Sequence, residues 1–145
     1  MVPMARTIGI RRSVLQMTFA AVLLGSVYPA SAEPRVIEFT ADHDSRYKMA
    51  GMKTPEIVVK AGEQVLLRVT ANRGKSWNRD GSIHGFTLLR AKDRSRVEGW
   101  DLLFKPGTQE FLMTAPTEPG EYVAVCTVIC SQDHEGMHMK FVVLP

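Results

Sequence analysis

Between residues 33 and 145, seven short stretches alternate apolar with polar residues or run through β-branched ones: 35–40, 56–60, 64–70, 83–89, 109–113, 121–126 and 139–144. Each is bounded by residues that turn the chain. Ala61-Gly62-Glu63, Asn72-Arg73-Gly74, Asp80-Gly81, Pro106-Gly107 and Pro119-Gly120 separate them. Glycine supplies backbone freedom at such points, and proline presets φ. No stretch carries a sustained 3.6-residue apolar period. The pattern therefore predicts an all-β antiparallel sandwich with strands on these seven runs. Residues 71–81 are polar and read as a loop, and 41–55 read as irregular. No internal repeat or second folded domain is visible.

The chain has 145 residues, 45% hydrophobic and 23% charged, a balance that excludes disordered and multi-span membrane classes. Its net charge of +3 is confined to one end. Arg6, Arg11 and Arg12 stand in a first segment of 32 residues that holds no acid, so the remainder is balanced. Nucleic acid is thus not an expected partner. The first segment reads as an export signal. It runs from the basic Arg11-Arg12 through an apolar stretch (14–27) to Ala30-Ser31-Ala32, small residues where a signal peptidase cuts. The expected domains are a cleaved signal at 1–32, of general secretory or twin-arginine type, and a folded domain at 33–145. The expected location is the periplasm, without a permanent membrane anchor. In an oxidising compartment, two cysteines alone would suggest a disulfide.

The candidate chemistry lies near the end of the chain. Cys126-Thr-Val-Ile-Cys130-Ser-Gln-Asp-His134-Glu-Gly-Met137 has the spacing C-x3-C-x3-H-x2-M, and Ile83-His84-Gly85-Phe86 stands upstream. Thiolates, imidazoles and a thioether suit copper or zinc rather than magnesium or calcium. Met137 favours copper, because a thioether is a poor zinc ligand. A disulfide between the cysteines and a mononuclear type 1 copper site remain alternatives on this reading. The segment lacks any Ser–His–Asp set, catalytic carboxylate pair or phosphate-binding glycine loop, so an enzyme is not expected.

These residues resemble the binuclear CuA loop of cytochrome c oxidase subunit II and of nitrous oxide reductase. The stretch 56–65, Ser82-Ile83-His84-Gly85-Phe86 and the turn Thr117–Tyr122 are similar to parts of the same domains. The resemblance implies a cupredoxin-like Greek-key antiparallel β-sandwich that carries single electrons. It implies two copper ions bridged by Cys126 and Cys130, with His84 and His134 each on one ion. Met137 and the backbone carbonyl of Val128 would be the weak axial ligands. The implied partner is a redox protein, such as a c-type cytochrome or a terminal oxidase or reductase.

Three features depart from that family. Val128 stands where subunit II usually has a glutamate, whose carboxylate goes to a metal shared with the catalytic subunit. The chain shows a removable signal where subunit II has membrane helices. Between 35 and 55 it offers Phe39 and Tyr47 but no tryptophan; Trp77 and Trp100 lie elsewhere. Copper delivery is a second functional class, suggested by His43, Met49 and Met52, although these read more simply as a loop with methionines on the sandwich. Met139 is expected in the core and His138 in solvent. Asp133 and Glu135 are candidate acceptors for the His134 ring.

Overall fold

The computed structural model describes residues 33–75, 78–130, 132 and 134–145, the last stretch without the His134 side chain. The expected export segment, Trp77 and Asp133 lie outside them.

Among the described residues nine strands form two sheets: β1 (Arg35–Ala41), β2 (Tyr47–Lys48), β3 (Glu56–Lys60), β4 (Gln64–Ala71), β5 (His84–Arg90), β6 (Arg96–Phe104), β7 (Gly107–Thr114), β8 (Gly120–Val125) and β9 (His138–Leu144). One sheet has the order β2-β1-β4-β7 and the other β3-β9-β8-β5-β6. All seven expected strands are present within a residue or two. The sandwich is mixed rather than wholly antiparallel. β1 pairs parallel with β4, and β3 parallel with β9. The reason is topological: β3 leaves the first sheet for the second, so the chain re-enters the first sheet in the direction β1 already had.

Alternation sets the core. Val65, Leu67, Val69 and Ala71 of β4 turn inward, as do Met139, Phe141 and Val143 of β9. Between them lies an aromatic cluster around Phe86, whose ring centroid is 5.5 Å from Phe39, 5.7 Å from Tyr47 and 6.2 Å from Trp100. Such offset and edge contacts add to plain apolar burial. Phe39 and Tyr47 belong to one sheet and Phe86 and Trp100 to the other, so the cluster ties the layers together. It also anchors β5 two residues beyond His84.

Two strands lie outside the seven apolar runs. β6 turns Val97, Trp100 and Phe104 inward, spacings of three and four rather than two. Gly99, at φ 78°, puts a left-handed residue into this strand, and the pairing with β5 shifts register between Thr87 and Leu89. Such a bulge moves later side chains to the other face and hides the alternation. β2 is two residues long, too short to show a period, and it sits in the stretch expected to be irregular.

Candidate metal centre

His84 opens β5. The register of β5 on β8 pairs Thr87 with Val125, so His84 reaches past the end of β8 to the loop that follows it. That loop carries the cysteines. It is closed by the Cys126 N–H, which donates to the Met137 carbonyl at 3.1 Å. At the loop's start, the Thr87 and Thr127 hydroxyls hydrogen-bond at 2.8 Å, and Thr87 donates to Asp101 at 2.7 Å.

The loop can lie this close because residue 85 is glycine. A Cβ there would stand 2.9 Å from Cγ2 of Val128 and 3.4 Å from Thr127 Oγ1. The Gly85 N–H donates to the Cys126 sulfur at 3.4 Å. Cys126 Sγ lies 3.6 Å from Cys130 Sγ and 3.2 Å from the Val128 carbonyl oxygen. Both cysteines are free thiols, and the sulfur separation is well beyond a disulfide bond of about 2.05 Å.

The His84 side chain is wholly buried (0% exposed). Its Nε2 sits 2.9 Å from the Asn72 carbonyl oxygen, which can only accept. The Nε2 proton is thereby fixed, and Nδ1 is left with its lone pair. Among the described residues, Nδ1 is the one buried side-chain nitrogen or oxygen without a hydrogen-bond partner. A buried polar atom left unpaired costs about 1–3 kcal/mol, so such an atom asks for a ligand. The donor atoms of His84, Cys126 and Cys130 all lie within 4.8 Å of one another. Two soft sulfurs and an imidazole nitrogen turned to one point suit copper or zinc.

Electrostatics favour an anion on this cluster. The bond from Cys126 pulls the Cys130 thiol well below its ordinary value, overcoming burial, with help from His84 and Ser45. The same bond, with burial, pushes Cys126 up. Burial, the strongest single influence on the His84 ring, pushes it down. The nearby Cys130 sulfur and the Asn72 carbonyl outweigh that, and the net direction is up.

The structure therefore brings His84, Cys126, Cys130 and the Val128 carbonyl together. Met137 is buried at the loop's far end, with its carbonyl on Cys126 N–H. His134 begins a 3-10 turn, His134–Gly136, and its side chain is outside the described residues. Glu135 and His138 are exposed, and Met139 is in the core. His43 is exposed beside Asp42, Met52 is half exposed, and Met49 packs against the core.

Three side chains were invisible to motif reading. Ser45, buried and at φ 58°, has its hydroxyl 3.7 Å from the Cys130 sulfur. The Tyr47 hydroxyl donates to the Gly85 carbonyl. Asp42 accepts from the Asn72 side chain at 2.9 Å. The one available signal was the polar run Asp42–Ser45 beside an isolated tyrosine.

No family model matches the chain, and no curated protein matches it either. Among solved structures it is similar to auracyanin A, described as a "blue" copper protein from the green thermophilic photosynthetic bacterium Chloroflexus aurantiacus. The identity is 21% and the TM-score 0.55, over 77% of this chain and 99% of that one. It is also similar to a chain of a heme-copper terminal oxidase dimer solved by cryo-electron microscopy, at 16% identity and a TM-score of 0.50, over 81% of this chain and 74% of that one. These likenesses show the fold, a cupredoxin β-sandwich.

Proposed function

We propose that this chain is a periplasmic electron carrier in which Cys126, Cys130, His84, His134, Met137 and the Val128 carbonyl would hold a binuclear CuA-type copper centre. The observation that carries it is the pair of buried sulfurs 3.6 Å apart, facing the unpartnered Nδ1 of His84. At metal–sulfur bonds of about 2.3 Å, two sulfurs at this separation can share an ion. Copper held there would supply a one-electron couple. The protein's part is to hold the ligands in one geometry. β5 and the loop closed by Cys126 N–H and Met137 O, which joins β8 to β9, do this from three strands of one sheet. Little then moves when the charge changes. The partner is a redox protein, such as a c-type cytochrome or a terminal oxidase or reductase, and residues 1–32 direct the chain to the periplasm.

A mononuclear type 1 site is the second reading. The fold is that of the "blue" copper protein above. Copper stoichiometry with electron paramagnetic resonance separates the two. The wild type should take up two ions and show hyperfine structure from two equivalent copper nuclei. Cys126→Ser should take up one and show structure from a single nucleus. A Cys126→Ser protein with unchanged stoichiometry and spectrum would remove Cys126 from the ligand set and leave the mononuclear site.

A further inference from the structure

Each of the three grouped donors leans on a single short segment, and that segment belongs to the other sheet. Residues 42–48 run from the end of β1 through a turn into β2. The turn is closed by Ser45 N–H to the Asp42 carbonyl at 3.1 Å and Asp42 N–H to the Arg46 carbonyl at 2.9 Å. At its start, the Asp42 carboxylate holds the Asn72 side chain, and the Asn72 carbonyl holds His84 Nε2. In its middle, Ser45 puts its hydroxyl beside the Cys130 sulfur. At its end, Tyr47 donates to the Gly85 carbonyl, while the N–H of the same glycine donates to the Cys126 sulfur.

We infer that the 42–48 hairpin is the outer support of the metal centre, with Ser45 its direct donor to the Cys130 sulfur and Asp42 and Tyr47 positioning residues acting through Asn72 and Gly85. The inference rests on the copper reading above. A metal-bound cysteine carries no proton, so the Ser45 hydroxyl is then the donor in that contact. A donor on the sulfur withdraws electron density from the metal–sulfur bond and favours the reduced state. Ser45 is also buried in a left-handed conformation, φ 58°, that a non-glycine residue adopts at a cost. Glycine would fit that backbone more easily. The strain is accounted for if the hydroxyl is what the position needs.

Tyr47 suits a fixed donor. Burial first, and the two cysteines next, push its phenol well above its ordinary value, so it keeps its proton. Because each contact reaches a different donor, the hairpin can alter the bonding at the sulfurs without altering the ligand set.

The experiment compares Ser45→Ala, Ser45→Gly and Tyr47→Phe with the wild type, as copper-loaded and copper-free protein. Copper content should be unchanged in all three. Both Ser45 variants should show a lower midpoint potential and a shifted sulfur-to-copper absorption band. Ser45→Gly should do so despite being the easier residue for the backbone, which separates loss of the hydroxyl from damage to the fold. Tyr47→Phe should give a smaller shift of the same kind. Spectra and potentials superimposable on the wild type would overturn the inference while leaving the copper reading standing. A wild type that takes up no copper would sink the copper reading instead. The hairpin is then judged on copper-free protein by nuclear magnetic resonance. The Gly85 amide proton should still move in Tyr47→Phe, and the Cys130 β-protons in both Ser45 variants. Unmoved resonances would remove the support role as well.

Discussion

The five-stranded sheet ends in two very different ways. Where β5 finishes and β8 begins, Arg90 and Lys92 pair with Glu118 at 3.5 and 3.0 Å, and Tyr122 donates to the Glu118 carbonyl at 2.6 Å. Those charges are in water, around an open cleft of about 330 Å³ that none of the metal-centre residues lines. At the other end, where β5 begins and β8 finishes, the polar groups are inside. Ser45, Ser82, His84 and Thr87 are the buried polar side chains among the described residues, and all four stand at that end. A turn that only has to reverse the chain can leave its polar groups to solvent. Burying them sets desolvation against stability, so the buried end is where the fold gives up stability for chemistry.

The largest test of this contrast is Gly85→Ala. The added methyl meets Val128 at 2.9 Å, and overpacking of this kind costs about 1–3 kcal/mol. It should also move Gly85 N–H off the Cys126 sulfur. Urea denaturation should show the stability loss, and copper content should fall with it. A variant as stable as the wild type would mean that the loop does not depend on this close approach.

Val128→Ala should be milder and more selective. Its side chain is buried against Gly85, and removing two methyl groups should cost about 1–3 kcal/mol. Only its carbonyl is proposed as a ligand, and alanine presents the same carbonyl. Copper content and spectrum should therefore persist in a less stable protein. Loss of copper without loss of stability would reverse the roles assigned to the side chain and the backbone.

Asp42→Asn sharpens the comparison through pH. Lys48 first, then Asn72, hold the Asp42 carboxyl far below its ordinary value. A group depressed in the folded state stabilises it fully above its unfolded value, about 3.9, and loses that contribution as pH falls through the folded one. Stability of the wild type should thus fall as pH drops below about 4, and the variant should show a shallower acid limb. Denaturation midpoints at pH 3 and pH 6 measure this, and parallel limbs would count against the role of Asp42.

The smallest effect belongs to the opposite end. Glu118→Ala removes both surface ion pairs, which solvent and salt already screen. The melting temperature and copper content should stay close to those of the wild type. A marked loss of copper would show that the two ends are coupled.

Much of the fold was legible because a strand with one buried face writes its alternation into the sequence, as in Gln64–Ala71 and His138–Leu144. Parallel pairing was not legible, since alternation states which face is buried and not which neighbour runs alongside. β6 escaped because Gly99 breaks its period, although Trp100 and Phe104 within it are core. At the centre, His84, Cys126 and Cys130 stood out as soft donors at a telling spacing. Ser45, Asn72 and Tyr47 did not, because their roles arise only when two sheets close. A serine hydroxyl beside a sulfur, or a main-chain carbonyl beside a ring nitrogen, leaves no pattern in one dimension.

That closure has a kinetic side. Residues 126–137 are local in the chain, but β1 must find β4 and Glu56 must find Lys140 before His84, Asn72 and Ser45 meet them. Long-range and parallel pairings form slowly, because loop-closure entropy is spent before contacts repay it. Throughout that interval the two thiols, with His134 and Met137 near them in the chain, could grip a soft ion before His84, the Gly85 amide or the Ser45 hydroxyl shapes the grip. Metal arriving early would meet a chelating peptide; metal arriving late meets a finished socket. The order of folding and supply, as well as the ligands, would then bear on which complex forms.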